Sequence, residues 1–596
     1  MEWALRPESF PSQALVFMEV RSEKKLLVLR FAALAALCAL LYFPQLSRIP
    51  FFNKGEPREG LVVQEIFLHG NWLLPLKGGT DIPSKPPLFH WFAALISLAS
   101  GQVNELTVRL PSALLATFGV LALYALGSRL FPSGVAFWGA VILATSSVYE
   151  TQAVTARVDM TLAAFITLTL VCFYLIYKGQ LKGALWTTLF YILLGISVLA
   201  KGPVGALLPV LVIGVFLALR KRWDFFRRIF FDRRILVSLA IGMIWYGLAL
   251  LQGGEEFFIR QIWQENLARF FVHGAGGTGH QKPLYYYLPY LLLEGLPWTL
   301  FLPTVVFDWI KNRLWREEDH LFLTTWFLVI FVFYSLSAGK RAVYLLPLYP
   351  PLSLALGEWF QSGNLSRKSA IWGARLTAGL IFLLVTLPVG AGLLSVISGK
   401  GLSWVSMAIG SRLGAEALEG FFRIQAILEQ GGAGLALAMA LWTFLSLLLV
   451  WDLFRLRLRR APATLSLLCL LGWTVGQGVF VYALAEARSY ASFMREVNRR
   501  VSPGAGLYLY GEGFDSSPVF FYRGEALPSL PPDTQALTKR LQSTGDHVIM
   551  TEREWVKASV FSKTIPLPRL KSRGKGSEGD APLVLVQGRM GAREKK

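Results

Sequence analysis

Long runs of apolar residues recur along most of the chain, and short polar loops separate them. A helix needs about 20 mainly apolar residues to cross a bilayer. Thirteen segments come close to that length or exceed it, near residues 26–44, 108–127, 134–150, 161–178, 184–200, 203–219, 235–252, 285–310, 320–337, 342–358, 371–397, 433–452 and 463–484. The pattern predicts a polytopic α-helical membrane protein with about 13 spans.

The segment from Pro86 to Ser100 is also apolar, but it is too short for a full span. Counting it as a span would place the basic N-terminal residues outside, against the usual distribution of lysine and arginine. We therefore expect a juxtamembrane or re-entrant helix here. The first external loop then covers residues 45–107.

Composition agrees with a membrane protein and argues against nucleic-acid binding. Hydrophobic residues make up 54% of the chain and the mean hydropathy is +0.48. The net charge of +21 resides in short loops, where it sets topology and attracts anionic membrane lipid. Cys38, Cys172 and Cys469 each lie inside an apolar run, which does not suggest a disulfide or metal site.

The basic loops predict the orientation of the spans. The loop from Arg220 to Arg234 is the most basic and should be cytoplasmic. Counting spans in both directions puts the N-terminal residues 1–25 and the other basic loops on the same side. The exception is Lys340-Arg341, which lands outside. Either an anionic ligand holds these two cations there, or the rule tolerates one violation.

Residues 486–596 differ from the transmembrane domain of residues 26–485. Polar residues return, and four short runs have strand character: 507–510, 519–522, 547–550 and 583–586. A helical pattern covers residues 534–542. We expect a small external α/β domain that packs against the rest or positions an acceptor.

The external loops collect acids and cations. Glu56 and Arg58 lie in the first loop at a predicted helix start, Lys85 precedes two prolines, and Asp159 opens a span. The remaining polar candidates lie in later external loops: Glu265, Arg269, His280, Lys340, Arg341 and Tyr344. Cations at headgroup depth suit a phosphate ester, and nearby acids suit a general base. Separate surface charges would give the same pattern if they did not converge.

Nine motifs in one order give the chain a resemblance to bacterial membrane glycosyltransferases of the aminoarabinose transferase and protein O-mannosyltransferase superfamily, the GT-C class. They lie mainly in residues 45–360 and read GEPREGLVVQEI, GNWLLPL, SKPPLFHW, TVRLPSAL, TARVDMTLAAF, GISVLAKGPVG, ENLARF, HQKPLYYYLPYLLLEGLPW and SLSAGKRAVYLLPLYPPL. The class layout, thirteen spans and an external C-terminal domain, matches the one counted from charge.

The resemblance implies an undecaprenyl-phosphate-linked sugar donor and inversion at the anomeric carbon. Lys85, Arg269 and Tyr344 would bind the donor phosphate, with Lys340 and Arg341 close by. Arg58 would help to shape that pocket, and Asp159 matches the second acid of the family. Further pocket candidates are Lys201, Glu265 and His280.

Two departures from the family pattern bear on the chemistry. The first-loop motif is usually Asp-Glu-x-Arg, with the aspartate as principal catalytic candidate, but Gly55-Glu56-Pro57-Arg58 stands here. Glu56 or Asp159 would then take the role of the missing catalytic aspartate. The residue before Lys85 is Ser84 rather than glutamate, which argues against a metal site, although His280 is available as a metal ligand. No cofactor is expected to be required.

The sequence therefore predicts transfer of a sugar from a polyprenyl phosphate to a lipid or glycan acceptor, with lipid A among the candidates, at the periplasmic face of a bacterial inner membrane. A protein O-glycosyltransferase with the same donor is an alternative. A lipid-linked-sugar flippase or transporter ranks lower, because neither internal repeats nor acids deep in the spans are evident.

Overall fold

The structure is a computed structural model that describes residues 13–268, 282–362, 368–398, 432–511, 514–562, 565–574, 576 and 582–588. Within these residues, nine helices are long and apolar enough to cross a membrane. The pair Leu284–Glu294 and Trp298–Lys311, bent by 111°, adds a tenth if it forms one span. The chain is thus a multi-pass helical membrane protein, as the hydrophobic pattern predicts.

The helical part consists mainly of α-helices, with 3₁₀ and π segments at breaks. The α-helices are α1 Gln13–Tyr42, α2 Gly55–His69, α3 Leu88–Ser100, α4 Glu105–Leu130, α5 Ser133–Ala144, α6 Ser147–Ala153, α7 Val158–Tyr177, α8 Ala184–Lys201, α9 Val204–Leu219, α10 Trp223–Phe230, α11 Ile235–Phe257, α12 Tyr287–Glu294, α13 Leu302–Lys311, α14 Glu318–Leu336, α15 Tyr349–Ser362, α16 Lys368–Ile381, α17 Leu387–Ser398, α18 Gly432–Phe454, α19 Ala461–Val475, α20 Tyr482–Arg488 and α21 Ala491–Arg500. The π-helices are Phe258–Ala268, Phe382–Thr386 and Gly476–Val481, and the 3₁₀ segments are Leu284–Tyr286, Trp298–Phe301, Leu314–Arg316 and Ala342–Leu348.

Each predicted span contains helix, but several are interrupted, and two of the breaks have a clear local reason. The span predicted at 134–150 divides between α5 and α6, where the Thr145 and Ser146 hydroxyls donate to the carbonyls of Val141 and Ile142. The span predicted at 342–358 begins as a 3₁₀ helix, since three prolines between 347 and 351 lack backbone donors. The segment predicted to be juxtamembrane or re-entrant is the short helix α3.

An ion-pair cluster at one end of the bundle supports the predicted sidedness. Lys178 and Arg220 come from two of the predicted cytoplasmic loops. Both pair with the first turn of α14: the Lys178 ammonium lies 3.0 Å from Asp319, and the Arg220 guanidinium lies 2.7 Å from Glu318. These two basic loops therefore share one end of the bundle, and Asp159 and Lys201 lie at the other ends of α7 and α8.

A five-stranded sheet forms the core of the C-terminal region. Its strands are β1 Leu507–Tyr510, β2 Ser529–Leu530, β3 His547–Thr551, β4 Leu570–Lys571 and β5 Leu583–Gln587, in the order β2-β1-β3-β5-β4. The pairs β1–β2 and β1–β3 are parallel, with Leu507 opposite His547, whereas β3–β5 and β4–β5 are antiparallel. The helices of this region are α22 Ser517–Arg523, α23 Thr534–Ser543 and α24 Glu552–Phe561.

Three of the four predicted strand runs are strands, and the helix predicted at 534–542 is α23. The strand predicted at 519–522 is wrong, because these residues lie in the helix α22. Pro518 occupies the first turn of this helix and Gly524 ends it in a left-handed conformation with φ of 85°. Both are helix-boundary signals that outweigh the aromatic content of the run.

Helix α22 docks the C-terminal region onto the first external loop. The Tyr522 hydroxyl donates to Glu105 at 2.8 Å and accepts from the backbone N–H of Phe51 at 2.9 Å. The Phe521 ring packs on Phe51, and a Cβ at Gly60 would lie 2.6 Å from that ring. Burial raises the pKa of Tyr522 well above its ordinary value, so its hydroxyl stays protonated and able to donate. The two regions therefore meet through a buried contact.

We expect Tyr522→Phe to loosen this contact, because the buried partners of the hydroxyl lose their hydrogen bonds at a cost of about 1–3 kcal/mol. Hydrogen exchange in residues 514–523 should speed up, while β3 at the sheet centre stays protected. Arg58→Ala is the matched control, since the pair of this half-exposed arginine with Asp515 should contribute under about 1 kcal/mol. Equal exchange in Tyr522→Phe and the native protein would contradict this expectation.

Candidate active site

Glu56 lies in the first turn of α2 and forms a closed structural network. Its Oε1 accepts from Arg109 Nε at 2.7 Å and from the backbone N–H of Ala156 at 3.0 Å. Its Oε2 accepts from Arg109 Nη2 at 3.0 Å and from Asn53 Nδ2 at 2.7 Å. A carboxylate has about four acceptor positions, and all are used. The side chain is only 2% exposed.

This geometry supports a structural role for Glu56 rather than the predicted role of catalytic base. A base must meet the proton it accepts, and Glu56 has neither a free lone pair nor an open path to substrate. Its contacts instead join α2, α4 and the turn at Ala156, which precedes α7. Arg109 completes the network by donating to the carbonyls of Leu46 at 3.0 Å and Ile49 at 2.5 Å. An arginine inside an apolar span is rare and usually paired, so this signal was present in the sequence.

We expect Glu56→Gln to destabilise the protein by about 3–5 kcal/mol, because the buried guanidinium of Arg109 would lose its counter-charge. Thermal unfolding in detergent should report this loss. The double variant Glu56→Gln/Arg109→Met removes both charges and should recover part of the lost stability. If the double variant is less stable than Glu56→Gln alone, the two residues do not form the unit described.

Arg58 lies two residues further along α2 and points away from the candidate pocket. Its guanidinium pairs with Asp515 of the C-terminal region at 2.8 Å, and its side chain is 48% exposed. Arg58 therefore does not join the other site residues that the structure describes, and its role in the phosphate pocket stays a prediction. Arg58 belongs to the contact between the first loop and the C-terminal region.

Asp159 and Lys201 form the first part of the candidate site. Asp159 lies in the first turn of α7 and Lys201 at the last residue of α8, and the two antiparallel helices bring them into an ion pair. The Lys201 ammonium also lies 4.1 Å from the centre of the Tyr344 ring, a cation–π contact. Asp159 is 13% exposed, and the described residues provide no donor to its Oδ2. It therefore keeps a free acceptor, which Glu56 lacks.

Lys85 and Glu265 form the second part. Lys85 precedes α3, and Glu265 lies in the π-helix Phe258–Ala268 that extends α11; the two side chains form an ion pair. Gln261 of the same π-helix donates to the carbonyl of Pro83 and fastens it to the Lys85 loop. Lys85 also lies within electrostatic range of Asp159. The first two parts therefore adjoin.

Lys340 supplies a buried cation in the loop between α14 and the 3₁₀ helix of Tyr344. Its side chain donates to the carbonyl of Ser337, and no described carboxylate pairs with it. The residue is 5% exposed, and burial lowers the pKa of its ammonium below the ordinary 10.5. Neighbouring Arg341 is exposed, and its backbone N–H donates to the Tyr287 hydroxyl at 3.3 Å. Lys340 is thus the cation in this loop that needs an anion.

Arg157 is a cation of the site to which the sequence reasoning assigned no role. It is the N-cap residue of α7, two positions before Asp159, and its charge acts on that carboxylate. Its guanidinium lies against Gly55, where any Cβ would overlap it. The sequence signal was the glycine itself, at the position where the family motif has a side chain.

The described part of the site carries an excess of positive charge. Lys85, Arg157 and Lys201 act on Asp159, and Glu265 pairs with Lys85, so these five residues carry a net charge of +1. Lys340, in the loop that leads to Tyr344, adds a further cation and brings the net charge to +2. The predicted candidates Arg269 and His280 lie outside the described residues. Among the described residues, no group of three or more histidine, cysteine or carboxylate side chains could hold a metal ion. The arrangement suits an anionic substrate with an acid beside it.

Comparisons with known proteins show which proteins the chain is similar to. Residues 84–246 match the family model described as dolichyl-phosphate-mannose-protein mannosyltransferase. An undecaprenyl phosphate-α-4-amino-4-deoxy-L-arabinose arabinosyl transferase from Pseudomonas fluorescens is 27% identical over 58% of this chain and 62% of its own length. A second from Proteus mirabilis is 26% identical over 62% of this chain and 66% of its own. The match thus spans less than two thirds of these relatives.

Solved structures show the same fold over nearly the whole chain. A crystal structure of ArnT from Cupriavidus metallidurans bound to undecaprenyl phosphate superposes with a TM-score of 0.73 at 20% identity, covering 94% of this chain and 99% of that one. The apo state of that protein gives 0.72. The chain therefore has the fold of ArnT and is similar in sequence to the aminoarabinose transferases.

Proposed function

We propose that the protein transfers a sugar from a polyprenyl phosphate, of the undecaprenyl type, to a lipid or glycan acceptor, with inversion at the anomeric carbon. The observation that carries the proposal is the excess positive charge of the site, and above all the buried Lys340 without a described carboxylate partner. A buried lysine is costly unless an anion compensates it. A phosphate at headgroup depth supplies that anion.

The positions of the groups suggest a single displacement. An acceptor hydroxyl or amine gives its proton to Asp159 while it attacks the anomeric carbon, and the bond from that carbon to the phosphate oxygen breaks. The departing lipid phosphate then gains one negative charge, which Lys85, Lys201 and Lys340 stabilise. Preorganised cations of this kind often make the largest catalytic contribution. No step in this scheme needs a metal ion.

The sidedness of the site supports action at the outer face of a bacterial inner membrane. The ion-pair cluster of Lys178 and Arg220, which the loop charges predict to be cytoplasmic, lies at the opposite ends of the helices that carry Asp159 and Lys201. A cation excess on the outer side runs against the positive-inside rule, and binding of a lipid phosphate there accounts for it. The outer face of a bacterial inner membrane borders the periplasm.

The test is transfer in proteoliposomes that contain the purified protein and labelled undecaprenyl-phosphate-linked 4-amino-4-deoxy-L-arabinose. Label on added lipid A supports the proposal as stated. Label on an added polypeptide would support protein O-glycosylation instead, which the name of the matched family model favours. Label that crosses the bilayer without bond cleavage indicates a flippase. Absence of both transfer and undecaprenyl phosphate binding would refute a lipid-phosphate site.

A further inference from the structure

The space beside Gly55 is filled by the guanidinium of Arg157. Gly55 is the first residue of α2, and an atom at its Cβ position would overlap the terminal nitrogens and carbon of Arg157. This is the position where the first-loop motif usually has an aspartate. A cation has therefore taken the place of a carboxylate, and it can do so only because residue 55 has no side chain.

Arg157 differs from the other two arginines near the first loop. Arg109 uses its donors on Glu56 and two carbonyls, and Arg58 pairs with Asp515. The structure shows no hydrogen bond from the Arg157 guanidinium to any residue it describes. Its partial burial limits how far water can satisfy the five donors of the group. Asp159 acts on it only at longer range, since that carboxylate pairs with Lys201.

We propose that Arg157 binds a phosphate group of a substrate, in the place left open by the missing first-loop acid. The proposal rests on the proposed function of the site. A half-buried arginine with unused donors in a fork suits a phosphate bidentately. The phosphate can belong to the donor lipid or to the acceptor, and Glu56 fixes the arginine in either case by holding the preceding residue, Ala156.

Arg157→Ala and Arg157→Lys distinguish the two sources. Kinetics are measured with the undecaprenyl-phosphate sugar and with lipid A, either intact or dephosphorylated. We expect Arg157→Ala to raise one KM about ten-fold or more, since a charged hydrogen-bond pair is lost, and Arg157→Lys to recover part of it. A higher KM for the donor shows that Arg157 binds the donor phosphate. A KM that is higher for intact lipid A but unchanged for dephosphorylated lipid A shows that Arg157 binds the acceptor phosphate.

Gly55→Asp gives the sharper test, because it restores the residue usual in the family. The new side chain would push the Arg157 guanidinium out of the space that it fills beside Gly55, and its carboxylate would pair with that guanidinium and compete with the substrate phosphate. We expect transfer to fall, although an acid in the first turn of a helix is favourable for folding. Arg58→Ala is the control. It changes the net charge by the same amount, on the same helix, but Arg58 pairs with Asp515, so both KM values should stay unchanged.

The results separate failure of this inference from failure of the proposed function. If the native protein transfers no sugar and binds no undecaprenyl phosphate, the proposed function fails first. If the native protein is active but Arg157→Ala keeps both KM values, or if Gly55→Asp increases transfer, Arg157 does not bind a substrate phosphate.

Discussion

Asparagine in place of Asp159 is expected to lower sugar transfer by about 10²- to 10⁴-fold, the range that a positioned general base contributes. Asp159 is the carboxylate of the site that combines an open Oδ2 with contact to the cations around the phosphate position. Its neighbour Lys201 keeps it ionised, and the amide cannot accept a proton. The loss should appear in kcat rather than in donor binding.

Donor binding distinguishes this chemical role from misfolding. Removing a negative charge beside three cations should leave the affinity for undecaprenyl phosphate unchanged or make it tighter. The expected pattern is therefore an inactive protein that still binds the lipid, whereas Glu56→Gln should lose stability. If Asp159→Asn transfers sugar at more than about a tenth of the native rate, Asp159 is not the base.

Methionine in place of Lys340 is expected to lower transfer by about 10²-fold and, at the same time, to raise the melting temperature of the free protein. The ammonium is buried without a carboxylate partner in the described residues, so its charge costs folding free energy. Methionine preserves most of the length and removes that charge. Catalysis suffers because the cation stabilises the departing phosphate. Opposite effects on activity and stability identify a residue kept for function.

The control is Lys77→Met, which removes an accessible lysine of the first loop that pairs with Asp81 at 2.7 Å. That change should leave activity and stability near native values, since exposed pairs contribute under about 1 kcal/mol. Lower stability in Lys340→Met, or full activity, would contradict the role assigned to Lys340.

The pH dependence of the native protein follows from the lowered pKa of Lys340. Because the folded protein holds this proton more weakly than the unfolded chain does, the buried charge costs stability at neutral pH. That cost disappears as the pH rises from the folded pKa to the ordinary 10.5. The kcat/KM for the donor should therefore fall on the alkaline side at a pH below 10.5. The fall in kcat should occur at a higher pH than the fall in kcat/KM, because bound phosphate stabilises the charged ammonium.

The arrangement around α7 separates support from chemistry. Glu56 and Arg109 are sealed and fully hydrogen-bonded, and they hold the turn at Ala156. Arg157 and Asp159 follow directly and keep donors and acceptors that no described residue uses. Tyr522 reaches the same network from the C-terminal region through Phe51, over which Arg109 lies at 4.9 Å. The C-terminal region therefore packs against the network around Glu56, and none of its described residues belongs to the described part of the site.

Much of the architecture was determined by the sequence alone. Apolar length predicts spans because a backbone in lipid must satisfy its own hydrogen bonds. The loop charges predict sidedness, and they single out Lys340 and Arg341 as the exception. Both predictions depend on local composition, so they need no knowledge of which helices touch. The strand predicted at 519–522 is wrong. The prediction rests on the aromatic residues of this run, whereas the flanking residues Pro518 and Gly524 favour a helix.

The roles of individual charges were decided only by tertiary structure. Glu56 and Asp159 look alike in the sequence, since each is an acid at the start of a helix on the outer side. They differ because Arg109 reaches Glu56 across 53 positions of chain and occupies it, whereas Lys201 leaves one oxygen of Asp159 open. Gly55 likewise reads as a missing acid until Arg157 is seen in its place. A carboxylate acts as a base or as a support according to the partners that the fold brings to it, and those partners are distant in the chain.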